Sequence, residues 1–311
     1  MPSKYFCVHF KIKSMKYVQI LIIVVAGAFC MIFCQSCNTC SRSQTIDFTV
    51  NLAELADLAI DSFHINISGK ELFNGKDNVI EVSMLVKNWG NPNPSLLNDP
   101  ANASGYLTKK KMAVNFGIYV TDMVTAGLYG QTQTVLKYKQ ALTPLVEGLG
   151  LQSAVDAKKV EAIEKNINNK NELLNIVSDI YTACTLSLSE DDRDFYALTM
   201  LSGGWVEGMY IGASMINETQ SSNEDKMKQL IMENKATFDI LWQALGQIDN
   251  IPDEATMTML EMSYIAHIFG HETLLSSPPD FVIHSTADVT PKVFAEIKNH
   301  IQLLRQQFIK K

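Results

Sequence analysis

Two isolated carboxylates are the side chains with most potential for chemistry in this chain. Asp122 is the only charged residue between positions 112 and 136, and Glu207 is the only one between positions 195 and 217. The apolar spacing of both stretches predicts helices that are buried nearly all round, so both acids are expected in the interior. A buried carboxylate is hydrogen-bonded or paired, or its pKa rises. We therefore expect the two helices to pack together and to bring the two acids close to each other.

Aromatic residues and glycines flank these acids at helical spacing. They could line a pocket with apolar walls and a few polar groups, and they could equally be core residues. Glycines recur at positions 204, 208 and 212, which predicts close approach of another helix or access for a ligand to the backbone, because glycine weakens a helix. The candidate pocket comprises Tyr119, Asp122, Tyr129, Gly204, Trp205, Glu207, Gly208 and Tyr210.

Two histidines form a weaker candidate site. His267 and His271 are four residues apart, the spacing that lets two imidazoles on one helix bind a metal. Ile268 stands where the metalloprotease HExxH motif requires its glutamate, and the chain has no Glu-x-x-His pair of the kind that binds two metals in helical bundles. Nucleophile-elbow, P-loop and dinucleotide fingerprints are also missing from the sequence, so we expect no metal and no cofactor.

The apolar spacing along the chain predicts helices almost throughout, and these helices must position the candidate residues. The sequence predicts an all-α fold, an antiparallel multi-helix bundle of about ten helices preceded by a lipoprotein signal peptide. Two proline-rich segments, 90–105 and 276–288, are surface connectors or functional loops. The predicted helices lie near 51–65, 78–88, 108–130, 132–148, 153–168, 171–188, 191–217, 223–249, 253–275 and 291–309.

The amino-terminal segment has the features of an export signal. Lysines precede a 14-residue apolar run at 20–33, which is short for spanning a bilayer core that needs about 20 helical residues. Ser36 before Cys37 resembles a lipoprotein processing site, with Cys37 as the acylated residue. The predicted organisation is a signal peptide at 1–36, a lipid-anchored tether at 37–50 and an α-helical domain at 51–311. A short uncleaved anchor is the alternative, and translation could start at Met1 or Met15.

Charge and cysteine content narrow the functional classes. Of 26 basic residues four precede Cys37, whereas all 33 acidic residues follow it, which leaves the mature chain with a net charge of −11. Nucleic-acid affinity depends on basic residues that neutralise phosphates, so this partner is excluded. Only three arginines are present, Arg42, Arg193 and Arg305, so bidentate clamps are few. Cys184 is the single cysteine of the domain, which must therefore rely on a hydrophobic core.

Three stretches resemble a family of exported all-helical lipoproteins from Bacteroidetes-type bacteria. They are NFGIYVTDMVTAGLYGQ, EKNINNKNELLNIVSDIY and LSGGWVEGMYIG. The resemblance covers roughly residues 80–220 and implies an envelope location and a helical fold. The family has no established activity, so the resemblance implies no catalytic residues.

Two main functional hypotheses follow, and a purely structural assembly component is a third option. The first is a noncatalytic cell-envelope lipoprotein on the periplasmic or outer-membrane side, attached to the membrane by its lipid anchor, whose domain binds a small ligand or an envelope protein. The second is a hydrolase of envelope or glycan material with Asp122 and Glu207 as its acid/base pair. Glycoside cleavage requires the two carboxylates about 5 to 10 Å apart across an open cleft. Whether both acids open into a shared cleft therefore distinguishes the two hypotheses.

Overall fold

The computed structural model describes residues 93–190, 193–248, 253–273 and 275–311. This part of the chain contains eight α-helices and no β-strand, so the predicted all-α helical bundle is confirmed for it. The helices are α1 (Lys109–Leu128), α2 (Thr132–Leu149), α3 (Ala157–Lys165), α4 (Lys170–Glu190), α5 (Asp194–Ser214), α6 (Glu224–Leu245), α7 (Asp253–Ile268) and α8 (Pro291–Ile309). The predicted helices at 51–65 and 78–88, the signal peptide and Cys37 lie outside the described residues.

Helices α1 and α5 form the centre of the bundle. Residues 113–128 of α1 and 197–209 of α5 are all buried, as expected of helices that are apolar nearly all round. The two helices make the most extensive contact among the described elements. The outer helices α2, α4, α6 and α8 pack around this pair and bury one face each. None of the described helices is long and apolar enough to cross a membrane.

Helices α1 and α2 form an antiparallel hairpin. Gly130 adopts a left-handed conformation with φ of 70°, which ends α1 and lets α2 begin at Thr132. The rings of Tyr119 and Tyr138 lie 5.5 Å apart halfway along the hairpin. A Cβ atom on Gly148, near the end of α2, would meet the side chain of Met112 at the start of α1. The short connection thus produces the antiparallel neighbours that the sequence predicts.

Helix α8 begins as predicted, whereas α7 ends earlier. The Thr290 hydroxyl accepts a hydrogen bond from the backbone of Val293, and Pro291 occupies the first helical position. The predicted helix 253–275 instead ends at Ile268. Gly270 has φ of 90°, and the backbone N–H groups of Gly270 and His271 donate to carbonyls of the last turn. This Schellman motif terminates α7 and removes His271 from the helix.

The described part of the first proline-rich segment is folded onto the helices. It contains two short 3-10 helices, Pro94–Leu96 and Pro100–Gly105, with the buried residue Asn98 between them. Asn93 and Asp99 cap these turns with their side chains. The segment is therefore part of the packed structure, and it brings backbone polar groups into the interior.

Candidate functional site

Asp122 and Glu207 lie in the middle of the two central helices, and both side chains are 0% exposed. The two helices touch beside these acids, where the Thr121 hydroxyl donates to the carbonyl of Gly204 at 3.3 Å. Both acids are thus buried, as predicted, on two helices that pack together. The feature that allowed this prediction was the absence of any other charge from two long apolar stretches.

Glu207 forms a bidentate ion pair with Arg305 of α8. Arg305 Nε lies 2.7 Å from one carboxylate oxygen, and Nη2 lies 2.8 Å from the other. Nη2 also donates to the carbonyl of Leu96 at 2.8 Å, and the guanidinium carbon lies 4.1 Å from the centre of the Tyr210 ring. Arg305 is only 7% exposed. The charge of Glu207 is thus neutralised inside the protein by a partner held on three sides.

Asp122 has a different hydrogen-bond partner from Glu207 and a raised pKa. Its Oδ2 atom accepts a hydrogen bond of 3.0 Å from the backbone N–H of Asn98. Burial raises the pKa of Asp122 well above its ordinary value, and the neighbouring Glu207 charge raises it further, against the lowering effect of Arg305. This environment favours the protonated form of Asp122, whereas Glu207 pairs with Arg305.

A hydrogen-bond network joins the first proline-rich segment to these acids. Asn98 donates through Nδ2 to the Tyr106 hydroxyl at 3.1 Å, and its carbonyl accepts from the Tyr138 hydroxyl at 2.8 Å. The Tyr119 hydroxyl donates to the carbonyl of Asp99 at 2.9 Å. Burial raises the pKa of Tyr119 and Tyr138, so their hydroxyls stay protonated as donors. We call Asp122, Glu207, Arg305, Asn98 and Tyr138 the polar core.

The predicted aromatic residues divide between two regions. Tyr119 bonds the segment that packs on the polar core, and Tyr210 lies against Arg305. Trp205 faces α6 instead: its indole N–H donates to the carbonyl of Asn234 at 3.1 Å, and its ring packs on Phe238 at 4.9 Å. Tyr129 is the C-terminal cap of α1. Trp205 thus contacts α6, whereas Glu207, two residues further along α5, pairs with Arg305 of α8.

Glycines mark the close approach of α1 and α5, and they include Gly204 of the predicted set. A Cβ atom added to Gly117 would overlap the carbonyl of Met200, and one added to Gly203 would overlap the carbonyl of Val114. At Gly204 a Cβ atom would lie 3.4 Å from the Thr121 hydroxyl, an ordinary contact. Gly208 is buried. The tightest points of the helix contact are thus at Gly117 and Gly203, and the backbone of Gly204 lies beside Gly117.

The two histidines have separate partners. His271 Nε2 lies 2.7 Å from Oδ1 of Asp239, whereas His267 Nε2 lies 3.1 Å from the carbonyl of Pro279. Lys235 also binds Asp239, at 2.9 Å. No group of three or more His, Cys, Asp or Glu side chains within the described residues could hold a metal ion. The helical i, i+4 geometry expected for this pair is lost because α7 ends at Ile268.

A cavity of about 360 Å³ lies between the first four helices, away from the acids. Its volume falls in the range of small-molecule sites, about 300 to 1,000 Å³. Its mouth is bordered by Lys139, Thr143, Glu147 and Gln152, of which the last three are exposed. The side chains that line it are mostly apolar, and they include Phe116, Val120, Met123, Leu142, Val146, Val160, Ile163, Val177 and Ile180. Sequence reasoning missed this site, because its residues have the spacing of ordinary core positions.

The two regions differ in what they can do. The polar core is enclosed and its charges are compensated, so Asp122 and Glu207 do not border an open cleft in which a substrate could lie between them. The cavity is open to solvent and offers apolar surface with a polar edge, an arrangement suited to binding. Comparisons with protein-family models, with curated proteins and with solved structures gave no match to this chain.

Proposed function

We propose that this chain is a cell-envelope lipoprotein whose helical domain is noncatalytic and binds a small apolar ligand in the cavity between α1, α2, α3 and α4. The export signal, the lipid anchor at Cys37 and membership of an exported helical lipoprotein family are parts of this proposal. They rest on the amino-terminal sequence and on the three stretches that resemble that family.

The cavity is the observation that carries the proposal. Mostly apolar side chains from four helices surround about 360 Å³ of space, and in a core packed to ordinary density such a volume would be filled. Ligand sites in proteins are concave, mostly apolar and bordered by a few polar groups, and this cavity has all three properties. A small lipophilic molecule fits it better than a polar one does.

The enclosure of the acids supports a noncatalytic role. General acid/base chemistry needs carboxyl groups within hydrogen-bond reach of the reacting atoms. Glu207 is engaged through both oxygens by Arg305, and neither Glu207 nor Asp122 is exposed to solvent. The hydrolase hypothesis required an open cleft between the two acids, so the proposed function assigns them to folding rather than to catalysis.

Photo-crosslinking tests the proposal on the full chain in isolated bacterial membranes. An uncharged dodecanol with a diazirine on its chain is activated by light, and the labelled peptides are identified by mass spectrometry. We expect labels on the peptides of α2 and α4 that line the cavity. Because the readout is the position of the label, probe dissolved in the lipid does not obscure it.

Two alanine variants provide the matched control. Ala157 lines the cavity at the first position of α3 and is exposed, so Ala157→Trp narrows the space at little cost in stability. Ala287 is also exposed and lies in the short 3-10 helix Thr286–Asp288. We expect Ala157→Trp to reduce labelling of the cavity peptides about tenfold and Ala287→Trp to leave it unchanged. Equal labelling in both variants would overturn the proposed site.

A further inference from the structure

We propose that the ligand of the cavity is a single-chain amphiphile with an anionic head group. This inference rests on the proposed function and adds the chemistry of the ligand. Carboxylate, phosphate and sulfate heads share the chemistry in question, which is a negative charge with oxygen acceptors at the end of a hydrocarbon chain.

The interior of the cavity determines the apolar part of the ligand. Most of its surface consists of aliphatic side chains, with Val120, Val146 and Val177 facing the space from three helices. Placing an unpaired polar group against such a surface costs free energy, about 1 to 3 kcal/mol in proteins. A buried hydrocarbon chain avoids this cost, and branched aliphatic walls adapt to its shape.

Helix α2 places the polar groups along one edge. Lys139, Thr143 and Glu147 are each four residues apart and therefore lie in one row on the helix surface. The row borders the mouth, so the polar end of a ligand whose chain enters the cavity lies beside it. The orientation of the ligand is thus fixed by the wall that carries these three side chains.

Lys139 favours an anionic head. Its side chain is 23% exposed and forms an ion pair with Glu164 of α3, whose side chain is 54% exposed. The ammonium group of this lining residue thus already accommodates a carboxylate. A ligand carboxylate or phosphate can take the place of Glu164, which is free to turn into solvent. A cationic head would be repelled by Lys139, and the two carboxylates near it, Glu147 and Glu164, are both exposed, where ion pairs are weak.

The test compares head groups on the same photoreactive chain. Diazirine-bearing dodecanoate, dodecyl phosphate, dodecanol and dodecyltrimethylammonium are titrated against the full chain in membranes, and labelling of the cavity peptides is followed. We expect both anionic probes to saturate labelling at a lower concentration than dodecanol. The cationic probe should require the highest concentration. A preference for only one of the two anions would identify which head group the site selects. Short-chain butyrate and inorganic phosphate should not compete, because a head group without its chain has no apolar contact to make.

Two lysines of the same helix provide the matched variants. Lys137 is exposed and does not line the cavity, whereas Lys139 does. We expect Lys139→Met to raise the half-saturating concentration of dodecanoate about two- to fivefold, the range of a partly exposed ion pair, and Lys137→Met to leave it unchanged. Glu164→Gln removes the competing carboxylate, so it should lower the same concentration about twofold. Comparing variants with one probe cancels differences in how probes partition into lipid.

The outcomes separate this inference from the proposed function. Equal labelling by all head groups, with no effect of Lys139→Met or Glu164→Gln, would overturn the anionic head while leaving an apolar ligand site in place. Tighter labelling by the cationic probe would overturn it as well. Failure of every probe to label the cavity peptides would overturn both proposals together.

Discussion

The polar core and the cavity lie on neighbouring faces of the same helix. Asn115, Tyr119 and Asp122 of α1 belong to the polar region, where Asn115 bonds Asn98 and the carbonyl of Phe308. Phe116, Val120 and Met123, each one residue further along, line the cavity. The region with reactive side chains is closed, and the region with open space has an apolar interior. A cluster of acids in a helical bundle is therefore weak evidence for catalysis unless space lies next to it.

The closed structure of the polar core has an energetic basis. A buried ion pair loses the hydration of both charges, and its attraction repays this only when the remaining hydrogen bonds are made. Glu207 and Arg305 meet that condition through bidentate pairing and through the carbonyl of Leu96. The pair also joins α5, α8 and the segment around Leu96, so the polar core links three parts of the chain that are distant in sequence.

The largest effect is expected when the polar core loses its cation. Arg305→Met leaves Glu207 buried without its partner, which should reduce the free energy of unfolding by about 3 to 5 kcal/mol. Chemical denaturation of the chain measures the change. The double variant Arg305→Met with Glu207→Gln should recover part of the loss, because the uncompensated charge is gone.

A surface pair provides the control for this prediction. Lys298 binds Glu218 at 3.0 Å, and both side chains are more than a quarter exposed. Lys298→Met should change the stability by no more than about 1 kcal/mol. If Arg305→Met reduced the free energy of unfolding as little as Lys298→Met does, the claim that the polar core stabilises the fold would be wrong.

The second effect concerns two adjacent glycines. In Gly203→Ala the new methyl group overlaps the backbone of α1 at Val114, and overpacking of this kind costs about 1 to 3 kcal/mol or more. In Gly204→Ala the methyl group meets the Thr121 hydroxyl at an ordinary distance, and alanine favours the helix by up to about 1 kcal/mol. Thermal unfolding should thus show a clear loss for the first variant and none for the second. A Gly203→Ala variant as stable as the wild type would mean that the two helices do not touch at Gly203.

Helix positions were readable from the sequence to a large extent, because capping residues and apolar spacing act locally. Thr290 and Pro291 fix the start of α8, and the isolation of Asp122 and Glu207 revealed their burial. Arg305 was counted only as one of few arginines, although its place next to Leu304 and four residues after Ile301 puts it on the apolar face of α8. That position could have identified it as the buried partner.

The remaining features depend on how distant elements pack. The fold of residues 93–106 over the acids is fixed by Asn98 and three tyrosines that come from separate parts of the chain. The cavity exists because the side chains that four helices turn toward it leave the space between them unfilled. Neither result follows from local spacing, since a valine that lines a cavity and a valine in a filled core give the same sequence pattern.

The third effect is a pH dependence of stability. The pKa of Asp122 is raised in the folded protein, mainly by burial, so the unfolded chain releases this proton first as the pH increases. The free energy of unfolding therefore falls with rising pH between the ordinary Asp value and the folded-state value, by up to about 1.4 kcal/mol per pH unit. Asp122→Asn, which resembles the protonated form, should flatten this decline.

Two controls accompany the pH dependence: a variant of an exposed acid, and labelling of the cavity in the Asp122→Asn variant. Asp225 is exposed on α6, so Asp225→Asn should leave the wild-type pH profile in place. Labelling of the cavity by dodecanol should be the same in Asp122→Asn as in the wild type, since α1 turns different residues toward the two regions. A change in labelling would show that the polar core and the cavity are coupled.

The smallest effect on the folded domain is expected from the lipid anchor. Cys37→Ser removes the proposed acylation site, and mass spectrometry of the mature amino terminus should detect acyl chains on Cys37 in the wild type and none in the variant. The unfolding midpoint should stay the same, because the interactions of the polar core and the cavity described above do not involve residue 37. An unmodified Cys37, or an intact apolar segment before it, would contradict the predicted processing. The variant also sharpens the ligand proposal: unchanged labelling of the cavity indicates a ligand from the surroundings, whereas increased labelling would mean that the acyl chain of the protein itself occupies the site.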